Sequence, residues 1–312
     1  MGRRKNAASD ADDAAAPTPD PVELPLASSV AISECLIAVV EYVVIASMQG
    51  TLIRASHLGN GPVGNAAAVC AGVTLLAWML YRQATTYDVS IARLLHMMGL
   101  YRVPSLTKAA LVLVGLQAVS HCALYGLHRQ FGSDIVSVKH LLDASGSVRW
   151  NLVVDLVIVA PIREEIVFRG ILQLIVHRRL PDNCRAAVFM PSFFFSVIHA
   201  LNFNAGRYSF SYVCMQIAVS FLIASFYSMR VLATGSVWEP LLLHSFNNLL
   251  ACSVDQSPTM EALADPLLLL PLLQTVIVYA ALIGGGWRRV PAHLNRFTAD
   301  IAKAEPSHVI IR

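Results

Sequence analysis

Charge is what this 312-residue chain has least of: only 14% of its residues are Asp, Glu, Lys or Arg, while 56% are hydrophobic and the mean hydropathy is +0.59. A water-facing surface normally needs about a quarter of the residues charged, so a soluble fold fits poorly and a lipid bilayer is the simpler solvent. The net charge of +3 is too small to hold a polyanion, and no nucleic-acid partner is expected. Internal repeats are absent. Cys35, Cys70, Cys122, Cys184, Cys214 and Cys252 lack metal-type spacing and read as small membrane hydrophobes. No apolar region follows Arg3, Arg4 and Lys5 closely enough for a cleaved signal peptide, which leaves targeting to the first long apolar run.

Apolar runs near the length that crosses a hydrocarbon core, about 20 residues, are there in number. They are approximately Ala27 to Met48, Gly61 to Tyr81, Leu106 to Leu127, Leu152 to Val176, Ala186 to Leu201, Phe210 to Leu232, Ser236 to Cys252 and Pro266 to Gly286. One or two such runs suit core helices of a soluble protein; about eight predict membrane spans. A spanning segment must satisfy its own backbone groups, and β-barrel alternation is missing. The expected fold is therefore all-α, a polytopic transmembrane helix bundle.

Lys and Arg near span ends set orientation. About sixteen of them precede the first span, follow the last, or fall in every second loop, against about five in the alternate loops, Arg54, Arg129, Lys139, Arg149 and Arg207. Both termini are expected in the cytosol. The Ala-, Asp- and Pro-rich opening to residue 25 reads as a disordered cytosolic tail. Residues 26–150 form N-terminal transmembrane helices, 151–253 a core with the polar motifs, and 254–312 a last transmembrane helix and cytosolic tail.

The fourth run is unusual because Asp155, Arg163, Glu164, Glu165 and Arg169 interrupt it. At about 2.5–3.5 kcal/mol per charge near a helix centre, the sum is on the order of 10 kcal/mol if these groups face lipid, so they need partners or water. Glu165 and Arg169 stand four apart with the acid first, which predicts an intrahelical pair. Glu164 is turned about 100° away and is expected to face a different environment, free for chemistry. Pro161 suits a helix start or kink. Phe195 and His199, and His244 and Asn248, each share a helix face at i and i+4, so each helix is expected to present a polar tip to a common cavity. A Glu, two His and an Asn in separate spans can activate water and stabilise an oxyanion.

EEIVFR at Glu164 to Arg169, FSVIH at Phe195 to His199 and HSFNN at His244 to Asn248 reproduce the ordered set EExxxR, FxxxH and HxxxN. The chain thereby resembles the CAAX-processing and bacteriocin-immunity family of intramembrane proteases, over roughly Leu152 to Cys252. Within it, HSFNN and the FSY at Phe210 to Tyr212 are most similar to the type II CAAX prenyl endopeptidases. The resemblance implies that Glu164 with His199 activates the attacking water, that Glu165 and Arg169 brace the site, and that His244 and Asn248 polarise the scissile carbonyl. Phe195 would pack near the imidazole. It also implies a prenylated CAAX-type protein or peptide as substrate, cleaved three residues from its end, at the endoplasmic reticulum with the site open to the cytosol.

Glu164, His199 and His244 are the candidate ligands if a divalent metal such as zinc takes part, and a metal-independent mechanism is equally open. No HExxH, GxGD or GxSxG-like turn supports another class of intramembrane protease. Two departures from the family pattern stand out. His199 is followed by ALNFN without further histidines, and Arg163 and Glu239 add charges: Arg163 is able to snorkel or to bind a substrate carboxylate, Glu239 is able to pair with it, and both also suit the interface. Two other readings compete: a non-catalytic membrane scaffold or immunity-type protein that uses the polar cluster for packing, and a transporter with a carboxylate proton relay.

Overall fold

The structure, a computed structural model, describes residues 23–55, 62–102, 107–130, 141–142, 145–205, 209–253 and 266–304. Most of the expected N-terminal tail, residues 1–22, lies outside them, as do Arg3, Arg4, Lys5, Lys139, Arg207 and Arg312 of the orientation count; Glu23 to Pro25 already belong to the first helix. Apart from one isolated bridge, Leu142 to Val148, the described elements are helical. They are α1 (Glu23–Ala55), α2 (Pro62–Thr86), α3 (Ile91–Met97), α4 (Lys108–Gln130), α5 (Trp150–Val154), α6 (Ala160–Glu165), α7 (Gln173–Arg179), α8 (Cys184–Val197), α9 (Phe210–Thr234), α10 (Trp238–Ala251), α11 (Pro266–Trp287) and α12 (Val290–Ala304).

Five stretches are helical, long and apolar enough to cross a membrane: Ala27–Ser47, Lys108–Leu127, Cys184–Phe203, Phe210–Thr234 and Leu269–Trp287. The chain is a multi-pass membrane protein. The other three expected runs are largely helical too, but differ in kind. Residues 61–81 fall mostly in α2, the run from Leu152 carries the charges, and α10 has only 14 residues.

The charged run is the axis of the fold. From α5 to α7 the chain stays helical without a break, passing through two π-helical stretches, Asp155–Val159 and Ile166–Leu172. Every residue from Glu165 to His177 is buried, so this helix has no lipid-facing side there and is enclosed by α1, α8, α9 and α10. Between helices already in lipid, the attraction is dispersion and hydrogen bonding rather than water expulsion, so close approach matters most. Gly170 shows this: a Cβ there would overlap the end of Met98, which seats the turn after α3 against the axis.

Gly235 ends α9 in the left-handed region, φ 64°, a position that favours glycine. The short turn that follows sends α10 back along the bundle. Beyond α11, the segment expected as a tail contains a further helix, α12. Val290, Leu294, Phe297 and Ile301, spaced four, three and four apart, bury one face of α12 against α3, α8 and α9.

Candidate active site

Sequence order does not bring the motifs together; the antiparallel packing of α10 along the axis does. Glu164 and Glu165 close α6, Arg169 lies in the second π stretch, His199 sits in the 3-10 turn Ile198–Ala205 after α8, and His244 and Asn248 project from α10. Arg169 Nη1 lies 3.3 Å from Glu165 Oε1, so the expected intrahelical pair is present, with both side chains essentially inaccessible.

The other carboxylate is placed differently from expectation. Glu164 does not look into a separate environment, because both acids converge on His244. Glu165 Oε1 is 2.8 Å from Nδ1 and Glu164 Oε2 is 3.5 Å from Nε2. The physical reason is the shape of imidazole: its two nitrogens point to diverging sides, so one ring spans the angular gap between successive helical residues.

Nδ1 must carry a proton to donate to a carboxylate. Nε2 then faces Glu164 Oε2 at a distance longer than a good hydrogen bond, and it donates only where it too carries a proton. Arg169 has no hydrogen-bonded partner on any of the three guanidinium nitrogens, and Glu165 Oε2 has none either. Arg169 is held instead by the nearby carboxylate and by ring faces, 4.4 Å from the Phe195 centroid and 5.6 Å from that of Tyr227.

His199 is oriented by its own helix. Its Nδ1 lies 3.1 Å from the Phe195 carbonyl, which can only accept, so Nδ1 carries a proton and Nε2 is the lone-pair nitrogen of the neutral ring. It lies within electrostatic reach of Glu164 and His244. Phe195 is wedged between the two imidazoles, edge-on, with centroids 5.3 Å from His199 and 5.7 Å from His244. Asn248 donates from Nδ2 to the Leu156 carbonyl at 2.9 Å.

A further contact from outside the motifs comes from α1. Tyr42 of α1, 5% exposed, donates its hydroxyl to Glu164 Oε1 at 3.1 Å. Its ring packs edge-on against Phe168, and the Arg163 guanidinium lies over its face. The sequence carried no signal for it, since a tyrosine in an apolar run is ordinary. Arg163 thus faces α1, not Glu239, which pairs with Arg230 at 2.5 Å. Glu239 meets Arg230 because α10 begins where α9 ends, which brings the two together across that junction.

Glu164, His199 and His244 do not form a metal-ligand set. Among the described residues, no three His, Cys, Asp or Glu side chains are arranged to hold a metal ion. His244 turns Nδ1 to Glu165 and Nε2 to Glu164.

Residues 146–250, which carry all three motifs, match the family model described as Type II CAAX prenyl endopeptidase Rce1-like. The chain carries a domain of that family. The domain runs from just before α5 to the end of α10, so it contains the axis, both histidines and Asn248, while Tyr42 lies outside it. No curated protein and no solved structure matches the chain.

Proposed function

We propose that this protein is an intramembrane endopeptidase that removes the C-terminal tripeptide from prenylated CAAX-type proteins. The observation that carries the reading is a buried imidazole flanked by two successive carboxylates, with a second imidazole, held through Nδ1, beside it, inside the Rce1-like domain.

Glu164 and the free Nε2 of His199 take the proton of a water, whose oxygen bonds to the scissile carbonyl carbon. The oxygen that gains charge is met by the Asn248 amide and by His244, which donates from Nε2 in the form that carries a proton on each nitrogen, one facing each carboxylate. Glu165, held by Arg169, keeps His244 Nδ1 occupied so that Nε2 is the nitrogen presented. As the C–N bond breaks, the proton taken from water passes to the leaving amine, and a carboxylate and a tripeptide are released. Each step uses groups of the chain itself.

The domain boundaries given above, both termini in the cytosol, and a site open to the cytosol at the endoplasmic reticulum complete the proposal. The lysine and arginine asymmetry and the family substrate support them. The test is mass-spectrometric detection of the tripeptide released from a farnesylated CAAX peptide by proteoliposomes. Wild type should release it and Glu164→Ala should not; release by both variants, or by neither, would overturn the assignment. A scaffold role is instead favoured if Glu164→Gln leaves biological complementation intact while Glu165→Ala lowers abundance.

A further inference from the structure

The carbonyl of Leu156, in the first π stretch of the axis, is not satisfied by its own helix. The amide of Ala160 donates to Asp155 O, five residues back, the π pattern. The next bond in that series would run from residue 161 to Leu156 O, but residue 161 is proline and has no N–H. The α-type donor to Leu156 O would be the amide of Ala160, which is committed to Asp155. Both helical routes to this carbonyl are closed. In a membrane interior an unmet carbonyl is costly, and this one is met from another helix by Asn248 Nδ2 at 2.9 Å.

We propose that Pro161 and the Leu156 carbonyl form a latch that positions Asn248, and through it the register of α10 against the axis. The inference deepens the protease reading and rests on it for the consequence in catalysis, though not for the latch itself. Asn248 lies one turn beyond His244 on the same face of α10, and α10 runs antiparallel to the axis. Pinning Asn248 beside Leu156 therefore holds His244 level with Glu164 and Glu165. The amide has two protons on Nδ2; Leu156 O takes one, which fixes the plane of the group and leaves the other for a substrate oxygen. Pro161 and Leu156 are positioning residues, since neither touches the reacting atoms in this scheme. The π widening before Pro161 also relieves the clash between its ring and the carbonyl of Val157, so the proline sits within a continuous helix rather than beginning or breaking it.

The test is a double-mutant cycle on the full chain, read by thermal unfolding in detergent and by kcat and KM on a farnesylated CAAX peptide. Pro161→Ala supplies a backbone N–H that competes for Leu156 O and releases the Asn248 amide. The expected result is a kcat about tenfold lower with KM unchanged and no loss of Tm. Asn248→Ala should lower Tm by a few degrees in the wild-type background and hardly at all beside Pro161→Ala.

The doubly substituted chain should have the kcat of Asn248→Ala alone, since both changes act through one amide. Equal Tm losses in the two backgrounds, or kcat effects that multiply, would overturn the latch. Asn248→Asp does not depend on Pro161: it sets a carboxylate against a carbonyl and should unfold at lower temperature than Asn248→Ala, and an equal or higher Tm also counts against the latch. The unfolding readings need no cleavage, so a chain that cuts no CAAX peptide would sink the protease assignment while these still decide the latch.

Discussion

Two buried charge clusters meet the same helix, α10, and they are finished differently. At its first turn, Glu239 uses both oxygens: Oε1 accepts from Arg230 Nε at 2.5 Å and from Thr107 Oγ1 at 3.3 Å, and Oε2 accepts from the Thr107 amide at 3.0 Å. Arg230 Nη2 also reaches Thr107 Oγ1, at 3.2 Å. This cluster ties the ends of α4, α9 and α10 together with its carboxylate fully used. About one and a half turns along, the cluster around His244 is left incomplete, with Glu165 Oε2 and the three Arg169 nitrogens unspent by hydrogen bonds. A saturated network has nothing left to offer a substrate, whereas an unsaturated one is held ready at a cost in stability. The contrast separates the cluster that holds α10 from the cluster that α10 serves.

Substitutions can break that contrast in descending order of effect. Glu164→Gln should lower kcat by about a thousandfold, the middle of the range for losing a general base, with apparent Tm unchanged; an unchanged rate in steady-state peptide cleavage would place Glu164 with the saturated kind. Arg230→Ala strands Glu239, which is 2% exposed, and should cost on the order of 3 kcal/mol, seen as a lower Tm and less protein in the membrane. The molecules that remain folded should keep their kcat, and a selective loss of kcat would show that the two clusters are not distinct.

Tyr42→Phe removes one hydrogen bond to a carboxylate and should lower kcat about tenfold with KM and Tm little changed. That comparison tells whether α1 belongs to the reacting cluster or only packs on it. The smallest effect belongs to a third pair, Arg179 with Glu34 at 2.5 Å, which is well exposed. Glu34→Gln should change stability by under about 1 kcal/mol and leave cleavage untouched; a large effect would mean that exposure is a poor guide to the worth of an ion pair here.

Much of the fold was legible because lipid is a demanding solvent. Length and apolarity alone marked the five stretches that are long enough to span. The charged run was legible as an anomaly for the same reason, since charges in a bilayer need partners. The i, i+4 pair of Glu165 with Arg169 followed from helix geometry. Contacts between helices were not legible. Nothing in the motif spacing said that Glu164 and Glu165 share one imidazole, that Glu239 chooses Arg230, or that Tyr42 reaches Glu164 across 122 positions. The docked helix Val290–Ala304 had a signal, the recurrence of Val290, Leu294, Phe297 and Ile301, that hydropathy averaged over a span-length window conceals.

By itself the sequence determined the solvent, the helical class and the short set of side chains able to do chemistry, because each follows from local composition or from spacing within one helix. Tertiary structure decided the contacts those side chains make. Which nitrogen of His244 is spent, which carbonyl holds Asn248 and which carboxylate oxygen stays open depend on the register of α10 against the axis. That register is set by interhelical packing and hydrogen bonds, which no single segment encodes.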